Sequence, residues 1–421
     1  MQDPTNRTTL ENGVRVLSRT MPHVRSVSVG IWVNAGARDE SADESGASHF
    51  IEHMLFKGTG TRSAFDIATQ MDAIGGQSNA FTAMEYTCYH GLVMDTHLAR
   101  LADILSDIFL NSVFDPEEVE RERGVILQEV GMLEDTPEDF LHLLTGQAFY
   151  GDHPLGRSIL GTTENLARFD SERLKDHLAR WYQPDRILVA ATGNLEHEQV
   201  LSLLAPAFEK IPPGAPLPPR SLPGPANSVQ IQGRDLEQVH LCLAGPGLAG
   251  TDPRRYAWSI ANVILGGNMS SRLFQEIRER RGLAYSVYSF APAFFDCGML
   301  GVYAAVNPRC VEEALEVIMA ELAHLRDKPV SPGELAGAKE YIKGSIYLAA
   351  ESADNQMLRL AQNEVHFGRY IPLSEAARHI DAVTTLQVQE LAAELIRPGS
   401  LALALVGPVD DAPDYSSLLS V

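Results

Sequence analysis

Long apolar runs are missing from this sequence. No stretch reaches the ~18 apolar residues that a membrane helix needs, so no segment reads as a span. Paired cysteines are missing too. Cys88, Cys242, Cys297 and Cys310 are scattered without a CxxC. That excludes a disulfide framework and a thiolate zinc site, and it predicts buried free thiols in a reducing compartment. Basic charge is scarce: 34 Lys+Arg stand against 55 Asp+Glu, a formal net charge of −21 over 421 residues. Such an excess repels phosphate backbones and anionic lipid, so neither nucleic acid nor a membrane is an expected partner. The first twenty residues, MQDPTNRTTLENGVRVLSRT, hold no apolar core of a secretory signal. The expected location is therefore the cytoplasm, and an organelle matrix also fits.

What is present is ordinary in amount: 45% apolar and 21% charged residues, close to a globular average and enough for two or three domains. Proline is concentrated. Residues 212–225 read PPGAPLPPRSLPGP, which can be neither helix nor central strand because proline fixes φ and lacks a donor. This run is read as a linker between domains 1–211 and 226–421. The two halves open alike. Ser26–Val33 and 238–243 alternate at period two as strands do, and each is followed by a turn and a helical run, GASHFIEHMLFKG or YAWSIANVILGG. Aligning those runs sets His53 against Asn262 (262 − 53 = 209), an internal duplication. Helical patterns cover 96–111, 115–132, 168–181, 309–325, 332–349 and 374–395. Strand candidates are 79–94, 186–193, 284–291, 298–306 and 401–406. The mixture lacks a βαβ rhythm and predicts an α+β fold, with antiparallel sheets flanked by helices.

The sharpest local signal is His49-Phe50-Ile51-Glu52-His53. On a helix, positions i, i+3 and i+4 share a face, so His49, Glu52 and His53 project together. Two imidazoles one turn apart can both reach a divalent ion, and a carboxylate beside them can take a proton from water. This H-x-x-E-H order is the inverse of the common zincin motif. A catalytic zinc needs a third protein ligand. Segment 116–134, PEEVERERGVILQEVGMLE, supplies carboxylates, most of them a solvated face. Glu129 lies in its apolar part, where an isolated carboxylate is costly unless paired or metal-bound. Glu122, two turns earlier, shares that face.

These residues resemble the pitrilysin/insulinase family of zinc peptidases, in its mitochondrial-processing-peptidase-like branch. That family's pattern is H-x-x-E-H with a ligand glutamate about 76 residues on, and here 129 − 53 = 76. The resemblance covers nearly the whole chain. It implies two homologous domains and one Zn2+ per chain held by His49, His53 and Glu129. It makes Glu52 the general base and Glu122 a supporting acid. Asn79, Ala80, Phe81 and Thr82 resemble the family's edge strand, onto which an extended peptide adds as a further strand. Arg278 and Tyr285, seven apart (285 − 278 = 7), resemble its Arg/Tyr pair, which holds a substrate carbonyl and the developing oxyanion. Opposite the zinc residues the duplication sets Trp258, Ala261 and Asn262, so one metal site is expected. For a chain of this length the family's clamshell implies a homodimer with Arg278 and Tyr285 acting in trans. The implied activity is a zinc endopeptidase acting on peptides, unfolded segments or targeting sequences. The rival is a non-catalytic or heterodimeric core subunit of the same family, which typically loses the zinc residues.

Overall fold

The computed structural model describes residues 5–224, 226–409 and 415–419. Two sheets carry the fold. The first contains β1 (Thr5–Thr9), β2 (Arg15–Thr20), β3 (Ser26–Val33), β4 (Gln77–Thr82), β5 (Thr87–Met94) and β6 (Ile187–Gly193), in the order β1-β2-β6-β3-β5-β4. The second contains β7 (Val229–Gly233), β8 (Val239–Gly247), β9 (Ala284–Phe290), β10 (Gly298–Val306) and β11 (Ala402–Gly407), in the order β7-β11-β8-β10-β9. One pair in each sheet is parallel, β2 with β6 and β7 with β11; all other pairs are antiparallel. Without β1 the two orders and strand directions coincide, so the duplication is visible in topology. The class is α+β, with two related sheets flanked by helices.

The central strands of each sheet are buried on both faces, and the period-two alternation decides what lies on each. On β3, Val27, Val29, Ile31 and Val33 face a large core built with the helices Ala47–Met54, Leu98–Asn111 and His197–Phe208. Ser28, Gly30 and Trp32 face the helix Ala353–Phe367. Trp32 Nε1 donates to Met357 Sδ at 3.3 Å, and Ser28 Oγ to Asp354 Oδ1 at 2.8 Å. Gly30 leaves room for that approach, since a Cβ there would stand 2.5 Å from Met357 Sδ and displace the end of that side chain. The second sheet repeats the arrangement. Leu241 and Leu243 join the core that includes the helix Arg255–Gly266, while Cys242, Tyr303 and Ala404 pack under Leu141 and Leu144 of the helix Pro137–Tyr150.

The compact units are therefore discontinuous, unlike the expected contiguous halves 1–211 and 226–421. The first comprises the chain up to Gly131, Ser158–Arg220 and Tyr347–Pro372; the second comprises Met132–Arg157, Ser221–Ile346 and the chain from Leu373. The physical reason is that each sheet's second apolar face is covered by a helix from the opposite half of the sequence. Two further expectations change. The run 79–94 is a hairpin, β4 and β5, broken at 83–86. The run 374–395 is two helices, Leu373–Ala382 and Thr385–Leu395, divided where Thr384 caps the second through the amide of Gln387. Of the four free cysteines only Cys88 and Cys242 are buried. No helix among the described residues is long and apolar enough to cross a membrane.

Candidate metal centre

The helix Ala47–Met54 carries the motif, and burial fixes its rotation. Phe50, Ile51 and Met54 are almost wholly buried, which turns His49, Glu52 and His53 to the other side. Its first turn is anchored by Glu40, which is 3% exposed and accepts the amides of Gly46 at 2.8 Å and Ser48 at 2.7 Å. Gly46 sits at φ +98°, and a Cβ there would meet Leu160 O at 2.7 Å; only glycine suits both constraints.

The helix Pro116–Asp135 supplies the opposite wall. Val119, Glu122 and Ile126 are its buried residues, and Glu129 continues that stripe one turn further. His49 Nε2 and His53 Nε2 each stand 3.6 Å from Glu129 Oε2. The three ligand atoms lie within 4.8 Å of one another, the one such His/Cys/Asp/Glu cluster among the described residues. At 3.6 Å these atoms are too far apart to hydrogen bond. Ligands ~2.0–2.1 Å from a zinc ion stand roughly 3.4 Å apart in a tetrahedron. The set therefore has the spacing of ion ligands. Burial, and then the neighbouring His53, push His49 down to about 4. The ring is neutral near pH 7, which is the form that ligates.

Glu52 lies beside the cluster. Burial raises its carboxyl above the ordinary range, against the opposing pull of Thr82 and His53. Thr82 Oγ1 donates to Glu52 Oε2 at 2.6 Å. Glu122, 4% exposed, places Oε2 3.0 Å from His53 Nδ1 and Oε1 2.6 Å from Lys57 Nζ. The structure thus brings together His49, His53, Glu129, Glu52, Glu122 and Thr82. It adds Lys57, which the sequence reading missed because its partner lies 65 positions away (122 − 57 = 65).

The four candidate substrate residues do not share one face. β4 is the outermost strand and pairs only with β5, so its other edge has no strand partner among the described residues. Ala80 packs on the core that includes the motif helix, and Thr82 reaches Glu52. Phe81 points the other way, with its ring 5.6 Å from Trp32 and 6.2 Å from Tyr86. Asn79 Oδ1 accepts the amide of Ala80.

Arg278 and Tyr285 belong to the second unit and sit together. The guanidinium of Arg278 lies 4.5 Å from the Tyr285 ring centre and 4.8 Å from that of Phe274. Tyr285 is 78% exposed on β9, the edge strand of its sheet. Arg278 lies in Phe274–Arg280, a stretch of π-helix, a rare widening of the helical turn. Trp258 and Ala261, opposite His49 and Glu52 in the duplication, are buried in the core of their own unit.

Residues 15–163 match the family profile described as Insulinase (Peptidase family M16), and residues 168–342 match the one described as Peptidase M16 inactive domain. The chain is 41% identical to a protein of Streptomyces coelicolor named an uncharacterized zinc protease, over 96% of this chain and 90% of that one. It is 39% identical to a likewise named protein of Bacillus subtilis, over 97% of this chain and 99% of the relative. Among solved structures, a protease from Helicobacter pylori has the same fold, with a TM-score of 0.89, 20% identity, and coverage of 96% of this chain and 99% of its own. A chain of complex III2 from Candida albicans has it too, with a TM-score of 0.85 and 21% identity over 98% of both. The chain belongs to peptidase family M16, the insulinase family.

Proposed function

We propose that this chain is a zinc-dependent endopeptidase, with Zn2+ held by His49, His53 and Glu129. The observation that carries the reading is the convergence of three ligand atoms at ion-ligand spacing beside a half-buried carboxylate, Glu52. A zinc ion there supplies Lewis acidity to water and to the scissile carbonyl. Glu52 takes the proton of the attacking water and passes it to the leaving amine. The free edge of β4 offers backbone donors and acceptors to an extended peptide, a mode that tolerates many sequences. Arg278 and Tyr285 hold a substrate carbonyl and the developing oxyanion, supplied in trans by a second copy in a homodimer. The natural substrates are peptides or unfolded segments.

The test is cleavage of a peptide library by the purified chain, read by mass spectrometry, with Glu52→Gln as control. Cleavage that a strong chelator abolishes and zinc restores is expected. Cleavage indifferent to chelation, or undiminished in Glu52→Gln, rejects the reading. Size-exclusion chromatography tests the dimer: a fully active monomer at working concentration rejects action in trans.

A further inference from the structure

The two histidines of the cluster are not held alike. His49 Nδ1 is buried and meets no hydrogen-bond partner among the described residues, so packing sets that ring. His53 Nδ1 lies 3.0 Å from Glu122 Oε2. This contact points the opposite nitrogen, Nε2, at Glu129. A carboxylate can perform that service only if its own orientation is fixed, because its terminal torsion is broad. Glu122 is anchored at its other oxygen, where Lys57 Nζ stands at 2.6 Å. The Glu122 side chain is 5% exposed and that of Lys57 30%. Few water molecules can replace the ammonium there, and a buried carboxylate deprived of its cation is strongly disfavoured.

Lys57 reaches this place through the way the motif helix ends. The helix stops at Met54, and the Lys57 amide closes a turn onto Met54 O at 3.1 Å. Gly58 follows at φ +127° and turns the chain away. Lys57 thus leaves the helix one turn past His53, on the side of the helix Pro116–Asp135.

We infer that Lys57 is a positioning residue of the metal centre. Its ammonium takes one oxygen of Glu122, commits the other to His53 Nδ1, and so aims His53 Nε2 at the point where His49 and Glu129 converge. Lys57 touches neither metal nor substrate in this role. The inference rests on the zinc reading above. A different role for Lys57, as a cation complementing the C-terminus of the motif helix, would act on the stability of the metal-free protein instead.

The experiment compares wild type, Lys57→Met, Lys57→Arg, Glu122→Gln and the double variant Lys57→Met/Glu122→Gln, with Lys57→Gln in reserve should Lys57→Met not fold. Zinc affinity is measured by competition with a chromophoric chelator, and the unfolding midpoint of each metal-free protein is measured alongside. Contacts that orient a ligand are worth about 10–100-fold in metal affinity. Lys57→Met is expected to weaken zinc binding by about 10-fold or more, with Lys57→Arg largely restoring it; the metal-free midpoint falls as well, because Glu122 loses its cation, so zinc affinity is the deciding readout. In the Glu122→Gln background the lysine substitution is expected to add almost nothing, because its effect runs through that carboxylate. Wild-type affinity in Lys57→Met overturns the inference, as does an equal loss with and without Glu122. So does a lowered metal-free midpoint with unaltered affinity. Absence of zinc binding by the wild type is a separate result and rejects the zinc reading itself.

Discussion

Thr82→Val is the most revealing single substitution outside the candidate ligands. Valine matches threonine in shape, so it removes the hydroxyl and little else. That hydroxyl is the 2.6 Å donor to Glu52 Oε2. The strand itself stays anchored, since β4 keeps its ladder with β5 and Phe81 keeps its edge-on contact with Trp32. A hydrogen bond to a charged group contributes about 1.5–3 kcal/mol. If that whole contribution goes to aiming the carboxylate at water, kcat/KM falls about 10–100-fold. Part of it is shared with the ground state, so a fall near 10-fold, carried mainly by kcat, is the expected value. The assay is steady-state cleavage of a quenched fluorescent peptide at saturating zinc, with zinc affinity measured separately and expected to be unchanged. Thr82→Ser, which keeps the hydroxyl, should stay within about 3-fold of wild type. The reasoning fails if Val and Ser behave alike, or if Val leaves kcat/KM within 2-fold.

Glu52→Gln should retain zinc and its unfolding midpoint while losing about 10²–10⁴-fold in kcat, the range for removing a general base; turnover near wild type in a metal-replete sample removes that role. Arg220→Ala should destabilise the protein by about 3 kcal/mol in denaturant titrations. Arg220 donates to both oxygens of Asp39, at 2.9 and 2.7 Å, and to Glu85 O, at 2.7 Å, and Asp39 is 4% exposed; an unshifted midpoint means the linker is not anchored there. Burial pushes Glu40 up to about 8 from 4.5. Folding thus favours its protonated form, and this contribution is complete below about pH 4.5 and lost as pH rises through about 8. Glu40→Gln should be less stable than wild type at pH 5, because one of the two accepted amides loses its partner, and the gap should narrow by pH 8.5. A gap that is constant or widens in urea midpoints refutes the assignment.

The three residues of the candidate metal cluster were legible because their spacing is local chemistry. His49 and His53 lie one helical turn apart, and the 76-residue interval to Glu129 matches a family pattern. The same locality explains what was missed. Lys57 acquires meaning only from Glu122, on a helix whose approach no periodicity encodes. Thr82 was read as part of a substrate strand from the motif around it, yet the pleat sends its hydroxyl to Glu52 and Phe81 to the Trp32 cluster. The hairpin break at 83–86 and the Thr384 cap carried turn and cap signals that the longer apolar runs masked. The exchange of helices between the two sheets was beyond reach, because the helical patterns did not include 137–150 or 353–367, and a helical pattern says that a face is buried and not against what.

That exchange sets an order on the protein's birth. When the ribosome has made β6, every strand of the first sheet exists, but the residues that cover Trp32 and Leu188 do not. They arrive with Met357, Leu360 and Ala361, more than 160 codons later. At ~5–20 residues per second that is roughly 10–30 s. Throughout that interval the nascent sheet presents an apolar face with no cover. A fragment ending at the proline-rich run would carry the same bare face indefinitely, so the half that holds the His49, His53 and Glu129 cluster, cut out alone, is expected to aggregate rather than to work as a miniature enzyme.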